Sequence, residues 1–280
     1  MSDGDQQRMF LEEPGEVSPP KPGLYLGTSG WSYADWEGTV YTPKLPAGAR
    51  LSEYVGRGGF AAVEIDSTFY GTPRPRTVSK WREVAPGGFR FAAKFPQEIT
   101  HEKQLVGCRA AADYFVATMS ELGDKLGPLL IQLPPYFDAA NRENLEAFLD
   151  ELPEGPRYAV EVRHKSWTEP DALGSLTDLL TERNVALTLV DYPSMPRLEV
   201  ATADFLYIRW LGDRREFPDN HTAPKRDRSD DLRWWSNLTR NFLEERNGRG
   251  EVFAFANNHY QNHSPSTVQQ FLELYRGVEG

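Results

Sequence analysis

Ionisable side chains stand at alternate positions in several short apolar runs, where an extended chain turns them all to one face. Glu64 and Asp66 alternate with Val63 and Ile65, Lys94 ends the run 89–94, and Gln132 lies between Ile131 and Leu133. Glu161 and Arg163 alternate with Val160 and Val162, and Arg209 follows Ile208. Glu64 and Glu161 are the candidates for acid/base catalysis, which needs two carboxyl groups about 5–10 Å apart with separated pKa values. Their runs are well separated along the chain, so a span too wide for that chemistry is a competing expectation. In that alternative Glu161 pairs with Arg163 or Arg209, and Asp66 with Lys94, as a structural ion network. Lys94 is a further catalytic candidate, as a desolvated Schiff-base amine or, with Asp66 and Glu161 near it, as a fixed charge. The fixed charge is favoured. Arg163 and Arg209 suit an anionic group, while Asp66 and Gln132 suit its orientation.

Other residues complete a polar pocket or merely pack its rim. Trp31, Tyr70 and Trp167 offer flat surfaces for a ligand, or they hold loops in place. Asn257, Asn258 and His259 precede a helix start at Ser264-Pro265, a corner where backbone N–H groups can converge on an anion. All five histidines (His101, His164, His221, His259 and His263) follow apolar runs. A metal would have to draw on scattered groups such as Asp191, His101 and His259, because no His-x-His or His-Glu-x-x-His spacing occurs. No cofactor is expected, and a divalent metal is the less favoured alternative. Gly27-x-x-Gly30 lacks the third glycine of a dinucleotide fingerprint. The arginine-rich connection 213–229 reads equally as a mobile lid or as a solvated insertion. Cys108 is the single cysteine, so no intramolecular disulfide can form, and it lies on a helical stripe as a core thiol.

These groups need strands to aim them. Eight apolar runs qualify, at 24–28, 61–66, 89–94, 129–133, 158–163, 185–190, 205–209 and 252–257, with helical patterns between most of them. The clearest helix carries Leu105, Cys108, Ala112, Phe115, Met119 and Leu122 on one face. Eight strand–helix units predict an α/β fold, a single (β/α)8 TIM-type barrel over residues 23–280, with its site at the C-terminal ends of the strands. An open doubly wound sheet is the alternative. Pro193 and Pro196 leave little room for a sixth helix. Residues 1–22, rich in acids, Pro and Gly, read as a disordered tail. The chain of 280 residues carries a net charge of −10, which argues against a general grip on nucleic acid but leaves a local basic groove open. No apolar run is long enough for a membrane span, and no secretory leader is evident, so a cytoplasmic protein is expected.

Several blocks in order carry a resemblance: Gly27-Thr-Ser-Gly-Trp-Ser-Tyr33 with Trp36, Val63-Glu-Ile-Asp-Ser-Thr-Phe-Tyr70, Phe91-Ala-Ala-Lys-Phe95 leading to Thr100-His101, Leu126-Gly-Pro-Leu-Leu-Ile-Gln-Leu-Pro-Pro135, Ala159-Val-Glu-Val-Arg163 with Ser166-Trp167, and Phe255-Ala-Asn-Asn258. From about Leu24 onward the chain resembles the YecE-like family, domain-of-unknown-function family 72. The resemblance implies a TIM-type barrel and carries no settled reaction. Two departures stand out, Asp66 where relatives often have Asn, and Arg209-Trp-Leu-Gly212 where many have Arg-Leu-His-Gly. The expected function is an enzyme, hydrolase-like, using acid/base chemistry on a small polar, sugar or phosphorylated ligand. Its rivals are a metal-assisted nucleic-acid-processing enzyme and a non-catalytic binding module. Oligomeric state is not legible in the sequence.

Overall fold

A computed structural model describes residues 21–57 and 60–277. Residues 1–20 of the expected tail lie outside the described residues. Nine strands are present among the latter: β1 (Leu24–Ser29), β2 (Ala62–Ile65), β3 (Arg90–Lys94), β4 (Leu126–Gln132), β5 (Tyr158–Glu161), β6 (Ala186–Leu187), β7 (Leu189–Asp191), β8 (Phe205–Trp210) and β9 (Glu251–Ala256). The α-helices are α1 (Arg50–Arg57), α2 (Pro75–Val84), α3 (Arg109–Ser120), α4 (Arg142–Glu151), α5 (Pro170–Glu182), α6 (Ser229–Glu245) and α7 (Ser264–Gly277).

The strand order is β6-β5-β4-β3-β2-β1-β9-β8-β7. Eight expected runs become nine strands because the sixth divides at Thr188, whose N–H bonds to the Val160 carbonyl at 2.8 Å. Its first half, β6, pairs in parallel with β5, and its second half, β7, neighbours β8. The two ends of the strand order are therefore halves of one run. That connectivity, with helices between parallel strands, is the TIM-type α/β class. Among the described residues no helix lies between β7 and β8, the interval where Pro193 and Pro196 fall.

Contacts divide the chain into two compact units, each assembled from separated segments. The first comprises residues up to 63, 83–90 and 210 onward. Within it β1 pairs in parallel with β9, Leu24 opposite Val252 and Thr28 opposite Ala256. Gly27 is required there, since a Cβ would lie 1.9 Å from the Ala62 carbonyl oxygen. Trp210 packs on Phe271 of α7 with ring centroids 4.8 Å apart.

The second unit comprises Glu64–Arg82 and Phe91–Arg209. In it β4 and β5 run parallel, with Gln132 opposite Glu161. Its apolar side is closed by Phe95, whose ring lies 4.8 Å from Phe115 of α3 and 5.9 Å from Phe148 of α4. The whole stripe from Leu105 to Leu122 is buried as its spacing predicts. Cys108 is buried with it, and burial pushes its thiol above the usual pKa, which suits a packing role.

Candidate functional site

Period-two alternation puts Val63 and Ile65 on one side of β2 and Glu64 on the other. The same parity in β8 gives Tyr207 and Arg209, and in β5 it gives Glu161. These four polar side chains are buried to 1 % exposure or less. Charges so placed need partners, and each carboxylate oxygen has one. Arg209 Nη2 donates to Glu64 Oε1 at 2.7 Å and Nη1 donates to Glu161 Oε2 at 2.6 Å. Tyr207 donates its hydroxyl to Glu64 Oε2 at 2.7 Å, and Arg163 Nε donates to Glu161 Oε1 at 2.6 Å. One guanidinium thus spans the two glutamates despite their separation in sequence. Burial alone would raise the Glu161 pKa, but Arg209 and Arg163 overcome it and hold the carboxyl down at about 2. Tyr207 is pushed well above its ordinary value, first by burial and then by the Glu64 charge, so its phenol keeps its proton.

Toward solvent the cluster changes character. Arg163 Nη2 donates to Gln132 Oε1 at 3.1 Å, and the guanidinium lies 5.4 Å from the centre of the Tyr192 ring. Lys94 Nζ stands 2.5 Å from Asp66 Oδ1. The side chains of Arg163 and Lys94 keep 22 % and 13 % of their surface, whereas Glu64 and Glu161 keep 0 % and 1 %. Asp66 keeps 30 %, so the accessible charge is two cations and one carboxylate. His101 follows β3 in a single π-helical turn, Glu98–Glu102, a feature often found at functional sites. Its Nδ1 is 2.9 Å from Thr100 Oγ1. Burial, then the charges of Arg163 and Lys94, push its pKa below the ordinary histidine value, so the ring is neutral near pH 7. The hydroxyl of Tyr136, after β4, donates to the His101 carbonyl at 3.0 Å. The Phe69 ring stands edge-on to His101 at 4.9 Å and to Tyr70 at 5.5 Å.

Of the residues singled out from the sequence, the second unit contains Glu64, Asp66, Tyr70, Lys94, Gln132, Glu161, Arg163, Trp167 and Arg209. The polar ones among them form the linked pairs just described. Trp167 is 1 % exposed and donates Nε1–H to the Phe137 carbonyl at 2.9 Å, which fixes one loop on another. Trp31, Asn257, Asn258 and His259 belong to the first unit. Tyr41 donates its hydroxyl to the Trp31 carbonyl. Asn257 Oδ1 accepts from the His259 N–H at 3.0 Å, and Asn258 Oδ1 accepts from the Ser264 N–H at 3.0 Å, so both cap the chain locally. His259 Nδ1 lies 2.6 Å from the Phe217 carbonyl oxygen. Among the described residues no three His, Cys, Asp or Glu side chains cluster as a metal site.

Three participants fall outside the catalytic and ligand-binding set expected from the sequence, although His101 stands there as a metal-ligand candidate. Tyr207 shares a strand face with Arg209, so parity alone could have found it. His101 lacks a recognisable spacing, since its neighbours come from other strand ends. Tyr136 was hidden in a Pro-Pro-Tyr turn with no charged partner.

The family model described as "Protein of unknown function DUF72" matches residues 25–279. The UPF0759 protein YecE of Escherichia coli K12 is 36 % identical over 141 residues, 50 % of this chain and 48 % of YecE. The UPF0759 protein YunF of Bacillus subtilis 168 is 31 % identical over 157 residues, 52 % and 53 % of the two chains. The chain thus spans about half the length of the curated relatives it matches. A DUF72 family crystal structure from Thermotoga maritima MSB8 superposes with a TM-score of 0.73 at 24 % identity, covering 92 % of this chain and 99 % of that one. Another from Enterococcus faecalis V583 gives 0.71 at 20 % identity, covering 90 % and 95 %. These likenesses establish the fold. Among the described residues no helix is long and apolar enough to cross a membrane.

Proposed function

The chain belongs to the DUF72 family, and from that premise we propose that its second unit houses an acid/base enzyme for a small anionic substrate, with hydrolysis of a phosphorylated compound as the leading reaction class. One observation carries this reading: a neutral His101 stands in the field of two partly exposed cations, Lys94 and Arg163. The cations suit an anionic group, and an uncharged imidazole beside them suits abstraction of a proton from water or substrate.

In this reading Glu64 and Glu161 act as positioning groups. Their four oxygens already accept from Arg209, Tyr207 and Arg163, and Glu161 remains ionised far below neutral pH. Glu161 fixes Arg163, Gln132 completes its orientation, and Glu64 holds Arg209. Direct proton transfer by the two glutamates is the competing mechanism, and Lys94 serves as a charge because Asp66 holds it.

The pairing of all six ionised side chains also favours a second reading, a binding module without turnover. A phosphate titration of the whole chain, followed by imidazole NMR, tests the site. Phosphate should move the His101 signal and raise its titration midpoint, because the anion offsets Lys94 and Arg163. Arg163→Met and Lys94→Met should each weaken binding about tenfold, as expected for loss of a charge-assisted contact. An unmoved His101 signal at millimolar phosphate would remove the basis for the reading. Turnover of a phosphate ester that disappears in His101→Asn while binding persists separates the enzyme from the binding module.

A further inference from the structure

Tyr70 is 79 % exposed and Tyr136 is 56 % exposed, two of the largest apolar surfaces left in solvent among the described residues. Both belong to the surroundings of His101. The Tyr136 hydroxyl is tied to the His101 carbonyl at 3.0 Å, and Tyr70 follows Phe69, whose ring touches both Tyr70 and His101 edge-on. They come from the segments that follow β2 and β4, on either side of the β3 segment carrying His101.

The backbone that carries each ring is held in place. Tyr70 ends a short 3-10 turn, Ser67–Tyr70, whose buried Thr68 donates its hydroxyl to the Ile65 carbonyl at 2.8 Å. Tyr136 is held by its own hydroxyl. Flat amphipathic rings with few rotatable bonds bind planar groups at low entropic cost. The accessible cations Lys94 and Arg163 act on the same histidine. Asp66, 2.5 Å from Lys94, immediately precedes the Ser67–Tyr70 turn, and Gln132, bonded to Arg163 at 3.1 Å, ends β4 just before the Tyr136 segment. The cations and the tyrosines thus share the same strand ends and suit one ligand.

We propose that the ligand of this site joins a phosphate group to a flat ring, an aryl or heteroaryl phosphate ester, with Tyr70 and Tyr136 recognising the ring. This rests on the anion-binding reading above. The phosphate anchors at Arg163 and Lys94, and the rings add selectivity for the group the phosphate carries.

The test compares phenyl phosphate with methyl phosphate by calorimetry on the full chain. Phenyl phosphate should bind about tenfold more tightly, the order of magnitude of one or two ring contacts. Tyr70→Ser and Tyr136→Ser should each remove much of that preference and leave methyl phosphate within about twofold. Tyr114→Ser, an equally exposed tyrosine on α3, should change neither. If Tyr136→Ser fails to fold, Tyr70→Ser alone carries the comparison, since its side chain is almost wholly in solvent. Equal affinity for the two phosphates, or a ring preference that survives Tyr70→Ser and Tyr136→Ser, overturns the ring assignment and leaves the anion site standing. Binding of neither phosphate overturns the anion site and the ring assignment with it.

Discussion

Arg209 shows how much a single side chain can be asked to do. It is 1 % exposed and supplies one nitrogen to each of two buried glutamates. Removing it leaves Glu64 with Tyr207 alone and Glu161 with Arg163 alone in a dry interior, so Arg209→Met should lower stability by about 3–5 kcal/mol, read from the urea midpoint. Arg209→Lys should recover less than half, because an ammonium lacks the planar fork that meets two carboxylates at once. A midpoint within about 1 kcal/mol of the parent for Arg209→Met would falsify the bridging role. Glu161 makes the same network pH-dependent. Its folded pKa of about 2 lies below the ordinary 4.5, so the unfolded chain takes the proton first. Its contribution, about 3 kcal/mol from that shift, is whole above pH 4.5 and is lost as pH falls toward 2. The sequence revealed which side chains share a face, because parity is a local rule. It could not show that one guanidinium reaches both glutamates, since that depends on side-chain reach between strands distant in sequence. His101 is harder still to read, because its neutrality comes from burial and from charges on other elements.

At the level of elements, the connection between β8 and α6 is pinned in the first unit. Asn262 is fully buried, and its Nδ2 donates to the Asn220 and Ala223 carbonyls at 2.9 and 2.8 Å. Its φ of 80° is left-handed, where a Cβ is strained unless the side chain is Asn or Asp. Asn262→Gly loses the amide contacts alone, whereas Asn262→Ala loses them and keeps the strain. Ala should therefore be less stable than Gly by about 1 kcal/mol, the reverse of their order within a helix, and equal urea midpoints would refute the strain argument. Both variants should be cut faster by trypsin within 213–228. The adjoining segment is acid-sensitive for a separate reason. Burial, and secondarily His221, pushes His263 down to about 4 from 6.5. The unfolded chain thus binds that proton first, and the stabilisation present above pH 6.5 is lost as pH falls to 4. His263→Gln should flatten this part of a stability-against-pH curve while leaving the lower Glu161 window in place. If the slope between pH 6.5 and 4 is unchanged, another group is responsible. The long connection was visible in the sequence as a charged interval. Its anchor was not, because an asparagine gives no periodic signal.

For the whole molecule, the eight apolar runs and the Pro-interrupted stretch after β7 were enough to read the barrel class, since strand alternation and chain length leave few topologies. The division of the sixth run at Thr188 was not legible, because a lone threonine is itself a good strand former and gives no break signal. Charge was the more deceptive global feature. The net −10 describes the molecule, whereas Glu64, Asp66 and Glu161 balance Lys94, Arg163 and Arg209 within the cluster. In the proposed reading a phosphate ester meets Lys94 and Arg163 alone, whereas a polynucleotide must also bring many phosphates against a molecule of net charge −10. These cases differ in salt dependence. A ligand neutralised by two cations should lose affinity with a logarithmic slope no steeper than about −2, while a duplex contacting six to ten phosphates loses about 10³–10⁵ between 50 and 200 mM salt. The expected result is that phenyl phosphate binding survives about 150 mM salt with the shallow slope, and that a duplex oligonucleotide is not retained there. Retention of the duplex with a steep slope would favour the nucleic-acid-processing alternative. The same titration repeated with EDTA should be unchanged, and a loss of affinity restored by a divalent ion would point to a metal.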